Sequence, residues 1–373
     1  MEFPRDITIH QERSEQPHVE KILRLNSFLG KGGQGSVYSA SLFKGMDVAG
    51  QSSKVGVKSV NGGPDHNLVK NVEKNINELK KASKLFRCNG LMKMYFIVIP
   101  RAAYMNEHLS AERNTGYTFY HTMQSNTIYL GISLAPGQSL LSAINASRNP
   151  SGYTYDAKAV FVNLLTSVLC MHNVNIVHRD LKPENIMVEG NNTTIIDFGS
   201  MCHIDKCTMP PDAFTFEYSP VEVVNAASAR ENGMHKHYVG HNEFYKRFDV
   251  FSIGCILYEM LTLRKIFDNP MSAITWNSKT NTITASLNIE ADNPQFAWKR
   301  LIMDCINPDP RERPDLNQAF LDRVAALPNP DFTLFTGIAP AAAAAASAEG
   351  GRRAKTRRRV AKARRRALAT RRR

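Results

Sequence analysis

His178-Arg179-Asp180-Leu181-Lys182-Pro183-Glu184-Asn185, followed by Asp197-Phe198-Gly199, is the stretch on which the reading of this 373-residue chain turns. Moving a phosphoryl group needs a carboxylate to orient the attacking hydroxyl and a cation on the migrating phosphate. It also needs an amide and a carboxylate to hold magnesium. Asp180, Lys182, Asn185 and Asp197 supply those four groups within one short span.

Upstream lies Gly30-Lys31-Gly32-Gly33-Gln34-Gly35-Ser36-Val37, between two short runs that can pair as a hairpin. Glycines let backbone amides approach phosphates without a Cβ in the way. The pattern alone also suits an ordinary turn. A dinucleotide fold would require a helix directly afterwards and an acid about 20 residues on. Here the chain continues Val37-Tyr38-Ser39-Ala40, which is strand-like.

Taken in order, these motifs resemble the glycine-rich, catalytic and magnesium loops of the eukaryotic-type protein kinases. The resemblance implies an α+β, bilobal fold, with a small β-rich lobe carrying one helix and a larger, mainly helical lobe. ATP and Mg²⁺ would lie between the lobes, and the acceptors would be protein hydroxyls. Gly30, Gly32, Gly35 and Val37 would cover the nucleotide. Lys58 ends Val55-Gly56-Val57-Lys58, where the family has V-A-I-K, and would hold the α- and β-phosphates. Both Glu73 and Glu78 are available to pair with that lysine. Glu78 is favoured by its distance from Lys58 and its place just before Leu79. Ile132 resembles the residue behind the adenine pocket, Ser133-Leu134-Ala135 the hinge, and Met187 the residue beneath the adenine. Asp180 would orient the hydroxyl, Lys182 would neutralise the γ-phosphate, and Asn185 and Asp197 would ligate Mg²⁺.

Further downstream, Thr215-Phe216-Glu217-Tyr218-Ser219-Pro220-Val221-Glu222 resembles the end of an activation segment that begins near Ser200, with Pro-Val-Glu in place of A-P-E. Glu222 would pair with Arg313, and Asp249-Val250-Phe251-Ser252-Ile253-Gly254 resembles a scaffold helix with Phe251 in place of Trp. Gly56 and Ala82 are further departures. Lys182 together with Thr215 resembles the serine/threonine branch. Arg179 resembles an arginine that orders the segment by binding a phosphate, with Ser200 or Thr208 as acceptors.

The expected organisation is a leader over 1–21, helical near its end, and a kinase domain over 22–327, divided at 134/135 into small and large lobes. A low-complexity linker over 328–351 and a basic tail over 352–373 follow. Apolar spacing predicts a helix over Leu68–Phe86 and another over Tyr155–His172. Buried strands are expected over Met94–Ile99 and Ile128–Leu134, joined by a polar connection over about 101–126. Of the 47 Lys and Arg, 13 fall in Arg352–Arg373, so the rest of the chain balances 34 bases against 34 acids. Interaction with a polyanion therefore concerns the tail, either as an import signal or as a nucleic-acid-binding arm. Like-charge repulsion should leave that tail disordered when free.

The six cysteines have no framework spacing and are expected as separate thiols in a reducing compartment. Cys202, His203 and Cys207, and also His235, His237 and His241, lack zinc spacing and are expected as solvated loop residues. The polar N-terminus is unlike a signal peptide, and no apolar run is long enough to span a bilayer. The nucleus or the cytoplasm is the expected location. Two rivals remain: a pseudokinase serving as a binding module, and a factor whose main work is nucleic-acid binding through the tail.

Overall fold

In the computed structural model of the chain, residues 3–13, 16–32, 35–43, 52–110, 117–148, 155–208, 211, 214–231, 243–267 and 287–336 are described. The tail at 352–373, most of the 328–351 linker, and His235, His237 and His241 fall outside them.

The N-terminal part is built on β1 (Arg5–Arg13), β2 (Gln16–Gly32), β3 (Gly35–Phe43), β4 (Ser52–Asn61), β5 (Met94–Pro100), β6 (Thr118–Thr122) and β7 (Thr127–Ile132). They close into a barrel in the order β1-β2-β3-β4-β7-β5-β6. Ile7, Ile9, Leu23, Leu25, Val55, Val57, Phe96 and Val98 alternate inward and fill it. The expected helical leader is overturned by this arrangement. Ile7 and Ile9, two residues apart, suit a strand that is apolar on one face, and β1 pairs antiparallel with β2 from Arg5↔Leu25 onward. The polar connection over 101–126 is likewise more than a connection, because β6 lies parallel to β5 and meets β1 at His10↔His121. There the two imidazoles stack, with ring centroids 5.2 Å apart.

On one side of the barrel lies α1 (Asp65–Lys84), whose Leu68, Val72, Ile76, Leu79 and Ala82 form a buried stripe at helical spacing. The helix ends with Leu85 N and Phe86 N donating to Ala82 O and Ser83 O. The turn after it is pinned by the ammonium of Lys93, which donates to the carbonyls of Leu85, Phe86 and Cys88.

Two short helices, α2 (Arg101–Tyr104) and α3 (Glu107–Ser110), are inserted between β5 and β6, and the mainly helical part follows β7. It comprises β8 (Gln138–Ser139), α4 (Leu140–Ser147), α5 (Ala157–Asn173), β9 (Ile176–Val177), β10 (Ile186–Glu189), β11 (Asn192–Ile195), β12 (Cys202–His203), α6 (Val221–Glu231), α7 (Glu243–Thr262), α8 (Phe296–Cys305), α9 (Gln318–Ala325) and α10 (Phe332–Thr336). Helix α5 starts where the Asp156 side chain accepts from Ala159 N at 2.9 Å, and it is apolar on most sides because it runs through the core. It delivers the chain to the segment at 178–185. No helix among the described residues is long and apolar enough to cross a membrane.

The expectation of six separate thiols fails at four positions. Cys88 is joined to Cys170 and Cys202 to Cys207, with Cα atoms 5.8 and 5.4 Å apart, while Cys255 and Cys305 are buried thiols. Cys88 and Cys170 are 82 residues apart and meet because the turn after α1 lies on α5. The 3₁₀ turn Ile204–Lys206 brings the second pair together.

Candidate active site

The hairpin β10–β11 sets the two ends of the motif side by side. Ile186 pairs with Ile195, so Asn185 and Asp197 flank the base of one hairpin, with Ile196 N donating to Asn185 O at 2.8 Å. Arg179 and Asp197 both have positive φ, 65° and 63°. Such a backbone costs about 1–3 kcal/mol per residue and persists only where its surroundings enforce it. For Arg179 the enforcement comes from α7. Asp249, fully buried, accepts from Arg179 N at 2.8 Å and from His178 N and His172 Nε2 at 2.9 Å each. Burial pushes the Asp249 carboxyl up, but the bonds from His172 and the charge of the neighbouring imidazoles hold it below the usual carboxylate range.

Asp180, Lys182 and Thr215 close a triangle. Thr215 Oγ1 donates to Asp180 Oδ1 at 2.7 Å, while Lys182 Nζ donates to Asp180 Oδ2 at 2.9 Å and to Thr215 Oγ1 at 2.8 Å. Asn185 Nδ2 donates to Asp180 O at 2.9 Å. With its donor end so committed, Asn185 has its amide oxygen to offer a cation. Together with the Asp197 carboxylate this makes a hard-oxygen pair, the donor chemistry that suits Mg²⁺.

Lys58, on β4, lies 3.0 Å from Asp197 Oδ1 and 3.8 Å from Glu78 Oε1. Burial of the ammonium lowers its pKa, but the two carboxylates outweigh burial and leave it raised. Burial raises Asp197 in turn, and Lys58 more than reverses this, so the carboxylate stays charged. Among the two candidate glutamates, Glu78 is the one beside Lys58. Helix α1 contributes a residue that the motifs do not reveal, Lys81, which donates to Met201 O at 2.9 Å. Its position three residues after Glu78, on the same helical face, was the available signal.

The glycine motif forms the turn of β2 and β3, with Gly30↔Val37 and Gly32↔Gly35 in register; residues 33 and 34 lie outside the described ones. At Gly35 φ is +154° and an added Cβ would stand 2.1 Å from Ser59 O, so only glycine fits. Around Gly30 a Cβ would meet nothing within 4 Å. Val37 pairs directly with Lys58, and Gly56 with Ile132. A Cβ on Gly56 would lie 2.9 Å from Ile132 Cγ1 and 3.2 Å from Leu134 Cδ2, so these three residues line one spot. Ser133 N and Oγ are tied to Lys93, which fixes the hinge to the start of β5, and Leu134 is exposed beyond it. Met187, half-buried on β10, pairs with Ser139 of β8.

Arg179 donates through Nε to Ser200 O at 2.8 Å and through NH1 to Thr208 O at 2.9 Å. Of the two expected phosphate acceptors, Ser200 is buried and Thr208 exposed. Arg313, fully buried, holds Glu222 through two bonds of 2.7 and 2.9 Å.

The family model for the protein kinase domain matches residues 23–323, and the chain belongs to that family. Among its relatives, a serine/threonine-protein kinase of Caenorhabditis elegans is 28% identical over 205 residues, covering 52% of this chain and 18% of its own length. A serine/threonine-protein kinase of Schizosaccharomyces pombe is 30% identical, covering 49% of this chain and 33% of its own. Sperm motility kinase 2B of Mus musculus is 36% identical, over 38% of this chain and 26% of its own. The chain thus spans a third or less of the length of these three relatives.

Proposed function

We propose that the chain is a serine/threonine protein kinase that moves the γ-phosphate of ATP, with Mg²⁺, to a protein hydroxyl. The observation that carries this reading is the triangle of Asp180, Lys182 and Thr215, because it fixes a carboxylate and an ammonium where a hydroxyl and a phosphate would meet. Asp180 orients the acceptor hydroxyl and takes up its proton. Lys182 stands beside it as the cation for the migrating phosphate. Lys58, kept charged by Glu78, holds the phosphates that stay behind, and Gly30, Gly32, Gly35 and Val37 close over them. Asn185 and Asp197 would hold Mg²⁺, which supplies charge neutralisation across the phosphates when bound. Ile132, Leu134 and Met187 would enclose the adenine. The serine/threonine choice follows from Lys182 and Thr215 and agrees with the names of the relatives.

Radiolabel transfer from ATP-Mg²⁺ to histone tests the reading, with wild type beside Asp180→Asn and Lys58→Met. Label on serine or threonine that disappears in both variants supports it. Bound nucleotide without transfer by the wild type supports the pseudokinase instead.

The 13 cations of Arg352–Arg373 favour a second role for the tail as an arm for nucleic acid or an import receptor, acting in the nucleus or cytoplasm. Salt-dependent DNA binding that is lost on deleting 352–373, with peptide phosphorylation retained, would separate the two roles.

A further inference from the structure

We propose that Cys202 and Cys207 form a reversible disulfide clasp that orders the activation segment and so gates the enzyme. The gating half rests on the kinase reading; the clasp itself does not.

The clasp is built into the site from three sides. Strand β12 pairs with β9, placing Cys202 opposite Val177, two residues before Arg179. The chain then turns through Ile204–Lys206, and Ile204 is buried in a small cluster with Val177 and Cys202, against which Cys207 and Tyr245 pack. The disulfide returns the chain to its starting point. Tyr245 Oη donates to Cys207 O at 3.1 Å, and Arg179 NH1 donates to Thr208 O at 2.9 Å. Because Arg179 Nε also holds Ser200 O, one guanidinium grips both ends of the loop that the disulfide closes.

Arg179 adjoins Asp180, and its own backbone is fixed by Asp249. Where a phosphorylated segment would offer this arginine a phosphate, the clasped segment offers it two carbonyls. Opening the clasp removes the covalent constraint that keeps the second carbonyl within reach. Further along the same segment, Thr215 bonds Asp180, so a change in how the segment is held bears on the catalytic carboxylate.

The exchange partner is a low-molecular-weight disulfide such as oxidised glutathione. The Cys207 thiolate attacks one of its sulfurs, forming a mixed disulfide and releasing one small thiolate. The Cys202 thiolate then attacks the Cys207 sulfur and releases the second. Two electrons pass from the two protein thiols to the oxidant, and their two protons leave with the released thiols. Two small thiols reverse the sequence. Cys207 is half-buried, and Asp205, Lys206 and Thr208 around it are exposed, so a small disulfide can reach it. Cys255 and Cys305 do not compete, because burial pushes both thiols up, Cys305 to about 12, and they keep their protons. Cys88–Cys170 is a separate link, and Cys88→Ser controls for it.

The test equilibrates the full chain in reduced and oxidised glutathione at a series of ratios. It reads the Cys202–Cys207 linkage by mass spectrometry after alkylation, amide hydrogen exchange over 200–208, and phosphate transfer to a peptide. A short loop closed by a disulfide should slow exchange over 200–208 by about tenfold. Transfer should rise with the same midpoint ratio as linkage. Cys207→Ser should exchange at the reduced rate at every ratio, and Cys88→Ser should follow wild type. The proposal is overturned if the linkage forms at no ratio, if exchange is equal in the linked and open forms, or if transfer is independent of linkage. Exchange that follows linkage with no transfer at any ratio leaves the clasp standing and overturns the kinase reading instead.

Discussion

Thr215 and Asp180, 35 residues apart, are joined by a 2.7 Å hydrogen bond from the threonine hydroxyl to a carboxylate oxygen, and Lys182 bonds to both. The hydroxyl therefore both donates and accepts, and it sets the rotation of the Asp180 carboxylate.

Thr215→Ala removes the only member of this triangle that comes from the activation segment. Phosphate transfer should fall by about ten- to a hundredfold in kcat, the range for a loss of positioning and general-base geometry. Nucleotide affinity should stay within about twofold, because Lys182 is the one group proposed to contact ATP that Thr215 bonds, and Lys182 keeps its bond to Asp180 in the variant. Thr215→Ser, which keeps the hydroxyl, should recover most of the rate. Equal losses in both variants would show that the hydroxyl is not what matters.

Much of this site is legible in the sequence. Asp180, Lys182 and Asn185 sit in one contiguous motif and Asp197 opens a second one soon after, so a single hairpin brings the four together. Lys58 and Glu78 were readable through the resemblance to the kinase family, Lys58 from its place between the glycine loop and the catalytic loop and Glu78 from its distance to Lys58. The distant parts were less legible. In β1 only Ile7 and Ile9 mark the buried face, and its partners β2 and β6 are known only once the barrel closes. Asp249 was readable as scaffold, but its three bonds to His172, His178 and Arg179 belong to tertiary packing. The two disulfides gave no spacing signal, since one depends on the turn after α1 meeting α5 and the other on a 3₁₀ turn.

Arg313 tests the large lobe. Its guanidinium is fully buried, holds Glu222 bidentately, donates to Asn307 O and Arg247 O, and lies 5.0 Å from the centre of the Phe251 ring. Removing one partner of such a pair leaves a buried charge, at a cost of about 3–5 kcal/mol. Glu222→Ala should lower the denaturant midpoint accordingly. Arg313→Lys should be nearly as costly, because an ammonium cannot reproduce the bidentate fork. A midpoint unchanged in both would refute the pair's structural role.

Two glycines of the small lobe should respond differently to alanine. A Cβ on Gly131 would stand 2.2 Å from the Phe96 ring, which is itself fixed edge-on to Tyr120 inside the barrel. Gly131→Ala should therefore cost about 1–3 kcal/mol through overpacking. At Gly56 the nearest atoms are Cγ1 of the buried Ile132 at 2.9 Å and Cδ2 of the exposed Leu134 at 3.2 Å, so a shift of a few tenths of an ångström makes room and Gly56→Ala should cost less than Gly131→Ala. Thermal unfolding of both variants checks the contrast. Restoring alanine at 56 should leave phosphate transfer largely intact, which would remove the departure at Gly56 as support for a pseudokinase.

Asp249 links the catalytic loop to acid stability. Its folded pKa lies below 3.8 because three donors face the charged carboxylate, whereas in the unfolded chain it titrates near its ordinary value. A depressed carboxylate contributes stability that is fully present above the unfolded pKa and is lost as pH falls through the folded one. The contribution should therefore hold at pH 7 and fade below about pH 4. Asp249→Asn cannot carry the charge, and its amide NH₂ would face a donor. It should destabilise the protein at pH 7, and the difference between wild type and variant should shrink as pH falls below 4. Urea midpoints of both proteins across that range give the answer. A difference that stays constant with pH would mean that the carboxylate's charge contributes nothing and that Asp249 acts only by shape. Because the same residue holds Arg179 in its positive-φ conformation, the variant should also lose phosphate transfer at pH 7, beyond what its unfolded fraction accounts for.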